Sequence, residues 1–156
     1  MPPTLSADEL PPVYPPAIPG ADWRVAIIVD PALPPGFLAN TVAVIAIGLG
    51  AAQPALAGDE LADAAGHRYR ISANRPVPVL QAAEAAIRAL FLRALPPPDG
   101  AAVVPFPALA RSLHAYADYA ALVPERDLAA ECIDGLGLAG PARWVRSLTG
   151  ALKLLR

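Results

Sequence analysis

WRVAIIVDPALPPGFLANTVAVIAIGLGAAQ, residues 23–53, decides how this chain folds. Its first part, Trp23 to Asp30, is a β-branched apolar run bounded by loop residues, the pattern of a central strand covered on both faces. PALPPG then turns the chain, because each proline fixes its own φ and steers its predecessor toward extended backbone. In LANTVAVIAIGLGAAQ, Val and Ile would suit a second strand. The length and the many alanines favour a helix, apolar all round and so predicted to be buried. Gly48 and Gly50 lower helix propensity, and close approach of a neighbouring backbone is the expected compensation. Asn40 and Thr41 then fall in the first turn of that helix, at the mouth of a cleft.

Upstream, prolines at 2, 3, 11, 12, 15, 16 and 19 make residues 1–21 an arm rather than a core element. Its SADE has capping-box spacing, but Pro11 and Pro12 stop a helix there within a turn. Residues 22–156 are predicted to form a single α/β domain. HRYRI alternates like an edge strand or hairpin arm, and Val77 to Leu80 reads as a short strand beside prolines that a central ladder tolerates poorly. Ala82 to Leu95 is the clearest amphipathic helix, with Ile87, Leu90, Phe91 and Ala94 at helical spacing and Glu84 four residues before Arg88. AAVVPFP is a further strand, Ala108 to Val123 a further helix, and ECIDGLGLAG a glycine-rich strand. Pro141 opens a last helix with Trp144, Val145 and Leu148 on one side. Strands alternating with helices predict layers of helix on a sheet.

At 156 residues and 16.1 kDa, one core is expected. Mean hydropathy of +0.42 comes largely from alanine. The apolar run from Phe37 to Ala52 is shorter than the roughly 20 residues that span a bilayer and lacks basic flanks, so no membrane association is expected. The N-terminus lacks the basic start of a secretory signal, and a lone cysteine, Cys132, fits a reducing compartment; both point to the cytoplasm. A net charge of −2 with no run of Lys or Arg argues against extended nucleic-acid binding.

The landmarks together resemble the family catalogued as domain of unknown function 2000. The segments that carry the likeness are residues 24–51, DAAGHRYRISANRPVPVLQA at 63–82, and GLGLAGPARWVRSLTGALKLL at 135–155. The resemblance implies a three-layer α/β/α sandwich around a small mixed sheet of about four strands, similar to type-II peptidyl-tRNA hydrolases. In those hydrolases the loop after the first strand delivers a Gly-Lys pair and then a Gln on the first helix. Here Gly36 is followed by Phe37, and Thr41 stands where the glutamine would be. A lysine contacts phosphate or an acyl carbonyl as a point charge, which phenylalanine cannot do, so the departure weighs against peptidyl-tRNA hydrolysis.

Several residues could carry chemistry. A helix N-terminus with Asn40 and Thr41 favours an anion or carbonyl oxygen; alternatively both residues only cap their own helix. Asp30, at the end of the first strand where open α/β sheets bind ligands, is a general base or a turn cap. His114 and Asp118, four apart on a predicted helix, share a face, so the carboxylate would orient the imidazole or simply pair with it. Asn74 is a ligand contact or a loop residue bonding backbone. Cys132 is a nucleophile only if a base approaches it, and is otherwise a small buried hydrophobe. Gly36 and Phe37 complete the ligand-binding candidates. No metal set, P-loop or dinucleotide fingerprint is present, so neither metal nor cofactor is expected.

Three functions fit these residues. The first is a small-molecule-binding domain using the cleft at the first strand-helix loop. The second is a hydrolase or acyl-transfer enzyme with Asn40 and Thr41 polarising a carbonyl and Asp30 or His114 as base. The third is an interaction module forming a homodimer.

Overall fold

A computed structural model describes residues 22–156. The proline-rich arm expected at 1–21 lies outside the described residues.

In chain order the strands are β1 (Trp23–Val29), β2 (Glu60–Ala62), β3 (Arg68–Arg70), β4 (Val79–Gln81), β5 (Ala102–Pro107), β6 (Ile133–Pro141) and β7 (Lys153–Leu154), and the helices α1 (Pro35–Ala52), α2 (Glu84–Arg93), α3 (Tyr116–Leu122) and α4 (Ala142–Thr149). Five strands form one mixed sheet in the order β5-β6-β1-β4-β7, one more than the four expected. The extra strand is β7, two residues long, which pairs antiparallel with β4. β1 is central, as its unbroken apolar run predicts: it runs antiparallel to β6 along its whole length and parallel to β4. β5, with its two prolines, sits on the edge, where a missing N–H donor costs the ladder least. β2 and β3 form the separate hairpin that HRYRI suggested.

Side chains alternate across β1. Ala26 and Ile28 face the layer of α2 and α4 together with Ile87, Leu90, Phe91 and Val145. Val25, Ile27 and Val29 face α1 through Ile45 and Leu49. α2 keeps its expected buried positions, and Glu84 Oε1 lies 3.5 Å from Arg88 Nη1.

α1 corrects two expectations. It begins at Pro35, three residues ahead of the expected start, so Asn40 and Thr41 stand in its second turn and neither caps it. Nor is it buried all round: only Thr41, Ile45 and Leu49 are buried, while Phe37, Val44 and Ile47 are exposed, Ile47 at 72%. One helix on one face of a sheet has a single wall to pack against, whatever its composition. At 18 residues with a mean hydropathy of 1.7, α1 is also long and apolar enough by composition to cross a bilayer, contrary to the length argument, with 17% of that stretch buried within the fold.

Two glycines of β6 set how closely α1 approaches. A Cβ on Gly135 would come within 2.6 Å of Thr41 Cγ2, and one on Gly137 would overlap Ile45 and meet Leu49 Cδ1 at 3.0 Å. Gly48 is met by a side chain rather than backbone, Val104 Cγ1 at 3.0 Å from where its Cβ would lie, and Gly50 by nothing.

The helix expected over Ala108 to Val123 is broken. A 3-10 turn covers Ala108–Ser112, residues 113–115 are not helical, and α3 is only seven residues long. Ser112 Oγ donates to the Leu109 carbonyl at 3.0 Å, while Leu113 N bonds Ala110, the tighter i to i−3 pattern.

Candidate functional site

The cleft lies where β1 hands over to α1. It encloses about 580 Å³, a volume typical of small-ligand sites, and its wall includes Pro34, Phe37, Asn40, Arg111, Leu113 and His114. Asp30 N donates to the Asp134 carbonyl at 3.1 Å, tying the end of β1 to the start of β6. The Asp30 carboxylate accepts the Ala32 N–H at 2.9 Å, an Asx turn that starts the PALPPG loop. Its turn-capping role is therefore met.

Opposite α1 stands a group that the sequence reading missed. Asp134 is 3% exposed, and Arg111 Nε lies 2.7 Å from its Oδ2, with Nη2 3.3 Å from Oδ1. The register shows why an aspartate sits there: Gly135 pairs with Phe106 but Ile133 pairs with Pro107, so Asp134 is the extra residue of a β-bulge. Bulges re-aim a side chain beside functional sites. The Arg111 guanidinium in turn lies over the Phe37 ring, 5.5 Å from its centroid. Burial pushes the Asp134 carboxyl above the ordinary carboxylate range; Arg111 opposes that shift, while Asp30 and Glu84 add to it. The one sequence signal for Asp134 was a lone charge inside the apolar, glycine-rich run 133–141.

Thr41 does not line the cleft. It is fully buried, its hydroxyl donates to the Phe37 carbonyl at 2.8 Å, and its methyl packs toward Gly135. His114 borders the cleft but lies in the loop before α3, so it shares no helix face with Asp118, and no ion pair joins the two among the described residues. Asn74 belongs elsewhere: its amide donates to the Ala55 carbonyl and its oxygen accepts from Arg75 Nε, ahead of β4 at the opposite end of the sheet. Thus Gly36, Phe37, Asn40 and His114 come together at one opening, and Asp30, Thr41, Asn74 and Asp118 are not part of its wall.

Cys132 is exposed rather than buried, next to the bulge. Desolvation, reinforced by Glu84 and Asp134, pushes its thiol above the usual value against the pull of Arg111. A thiol held protonated is a poor nucleophile. Alkylation of Cys132 by iodoacetamide at pH 7.5 should therefore be slower than that of free cysteine and should rise with pH; a rate above that of free cysteine would refute this.

A mixed five-stranded α/β domain with a ligand-sized cleft at the end of its central strand is the class defined by these features. The chain belongs to the family described as protein of unknown function DUF2000, whose sequence model matches residues 23–156. Among solved structures it is similar to a protein of unknown function from Agrobacterium tumefaciens strain C58, with a TM-score of 0.77 and 20% identity, over 85% of this chain and 97% of the other. At that identity the likeness shows the fold alone. No curated protein matches the chain. Neither match extends the likeness to the type-II peptidyl-tRNA hydrolases.

Proposed function

We propose that this chain binds a small molecule in the cleft between the β1–α1 loop and the 3-10 turn after β5. The observation that carries the reading is the stack of Phe37, Arg111 and buried Asp134 beside that cleft. An ion pair whose carboxylate is hidden from water is costly to build, and it fixes a guanidinium and an aromatic ring at one opening. Phe37, Pro34 and Leu113 offer apolar contact, while the Asn40 amide, the His114 imidazole and Arg111 offer directional polar groups. That combination suits a compact ligand with a planar or apolar body and a carbonyl or carboxylate group.

The acyl-transfer alternative is weakened, because Thr41 is committed to the Phe37 carbonyl and cannot polarise a substrate. Asn40 and His114 remain available to it.

A thermal-shift screen of metabolites and aminoacyl esters tests the reading. A ligand at 100 times its dissociation constant adds about 2.7 kcal/mol. Asn40→Leu should leave the melting temperature of the free protein nearly unchanged, since this side chain is exposed and caps nothing, yet should abolish most of the ligand's shift. A hit whose shift survives both Asn40→Leu and Phe37→Ala would place binding elsewhere and sink the proposal.

A further inference from the structure

At the other end of the sheet, a cavity of about 830 Å³ opens between the start of β1, the loop ahead of β4, and α4. We propose that it binds a small organic carboxylate with an apolar body, at a site separate from the cleft described above.

Three guanidiniums line it, from Arg24, Arg75 and Arg146, against one carboxylate, Asp22, among its described lining residues. Arg24 is informative because of where it sits. It shares the face of β1 with Ala26 and Ile28, which pack under α2 and α4, so the apolar face of the central strand ends in a cation at the cavity. Neither Arg24 nor Arg146 forms an ion pair among the described residues, whereas Arg68, Arg88, Arg111 and Arg126 each have a carboxylate. Arg75 is held in place, with Nε on Asn74 Oδ1 at 2.9 Å and Nη1 on the Trp23 carbonyl at 3.2 Å.

The charges of Arg24 and Arg146, at a concave surface with low-dielectric walls, concentrate a positive field that favours an anion. The rest of the wall decides which anion. Ala26, Leu80 and Val145 line the cavity and belong to the hydrophobic core. Inorganic phosphate gains nothing from such a floor. A carboxylate with a hydrocarbon body gains both the two-pronged guanidinium contact and the apolar burial. A chain of net charge −2 that brings three of its twelve Lys and Arg residues to a cavity of this size also favours a small anion over a polyanion.

The test is a titration of the full chain at pH 7 with acetate, butyrate, hexanoate, octanoate and inorganic phosphate, followed by calorimetry and by backbone amide shifts. The expected result is saturable binding whose dissociation constant falls about fourfold for each methylene taken up by the floor, with shifts at Arg24, Arg75 and Arg146. The double variant Arg24→Gln, Arg146→Gln should weaken octanoate at least tenfold; both side chains are exposed, so the fold is retained. Phe37→Ala, in the other cleft, should leave the octanoate-induced amide shifts at Arg24, Arg75 and Arg146 unchanged, so failure of one site is distinguishable from failure of the other. Phosphate binding as tightly as octanoate, affinity independent of chain length, no saturation, or a double variant binding like the parent would each overturn the proposal.

Discussion

Gly137→Val should lower the melting temperature by up to roughly 10 °C, one of the two largest effects expected of a single substitution here. Overpacking a filled core costs about 1–3 kcal/mol and occasionally more, and a domain of this size loses a few degrees for each kcal/mol. The new side chain would enter the contact between β6 and α1, overlapping Ile45 and crowding Leu49, both of them buried. Neither can rotate away, because the sheet lies on one side and the helix backbone on the other. Gly50→Ala is the contrasting variant: a Cβ there meets nothing within 4 Å, so the change should stabilise by up to about 1 kcal/mol through helix propensity. Thermal unfolding of the two variants measures both effects. Equal effects at the two positions would mean that the glycines of β6 do not set the approach of α1.

Arg111→Gln should be at least as damaging, and its cost should depend on pH. Removing one partner of a buried pair costs about 3–5 kcal/mol; the lower end applies, because Arg111 is one-third exposed while Asp134 is 3% exposed. The Asp134 carboxyl is raised in the folded protein, so between its unfolded and folded values the native state binds more protons than the unfolded one. Stability from this group is therefore full below the unfolded value and is lost as pH rises through the folded one. Deleting Arg111 removes the largest influence holding the folded value down and leaves Asp30 and Glu84 facing the carboxyl, so the window widens upward. The deficit of the variant should be largest at pH 7 and above, and should shrink on acidification toward pH 4. Adding Asp134→Asn should recover most of it at pH 7. A deficit that is flat with pH, measured by denaturant unfolding, would show that Arg111 acts through packing alone.

Much of the layered architecture was legible in the sequence because it rests on local pattern. Residues 25–29 place β1 at the centre of the sheet because their unbroken apolar run is covered on both faces. α2 buries Ile87, Leu90 and Phe91 because their spacing puts them on one stripe. Periodicity was silent where two segments compete for the same residues: Ala108 to Val123 has helical spacing throughout, yet Ser112 bonds the local backbone and residues 113–115 leave the helix.

The site was legible only in part. Phe37 and Asn40 follow from a loop and a helix start, whereas the spacing that singles out His114 pairs it with Asp118, whose helix it does not share. Thr41 was misassigned because its polarity reads like exposure, whereas a threonine can satisfy its hydroxyl on the carbonyl one turn back and be buried as a hydrophobe. Asp134 was passed over because its partner, Arg111, is 23 residues away and meets it across a bulge that no spacing rule announces.

The sequence by itself determined the alternation of strands and helices, the central place of β1 and the buried stripe of α2, because each follows from how apolar residues repeat along a few turns of chain. Tertiary structure alone decided which face of α1 is covered, that Thr41 belongs to the core, and that Arg111 and Asp134 meet beside Phe37. Those outcomes depend on what stands opposite each side chain, and a chain read in one dimension does not contain its own opposite wall.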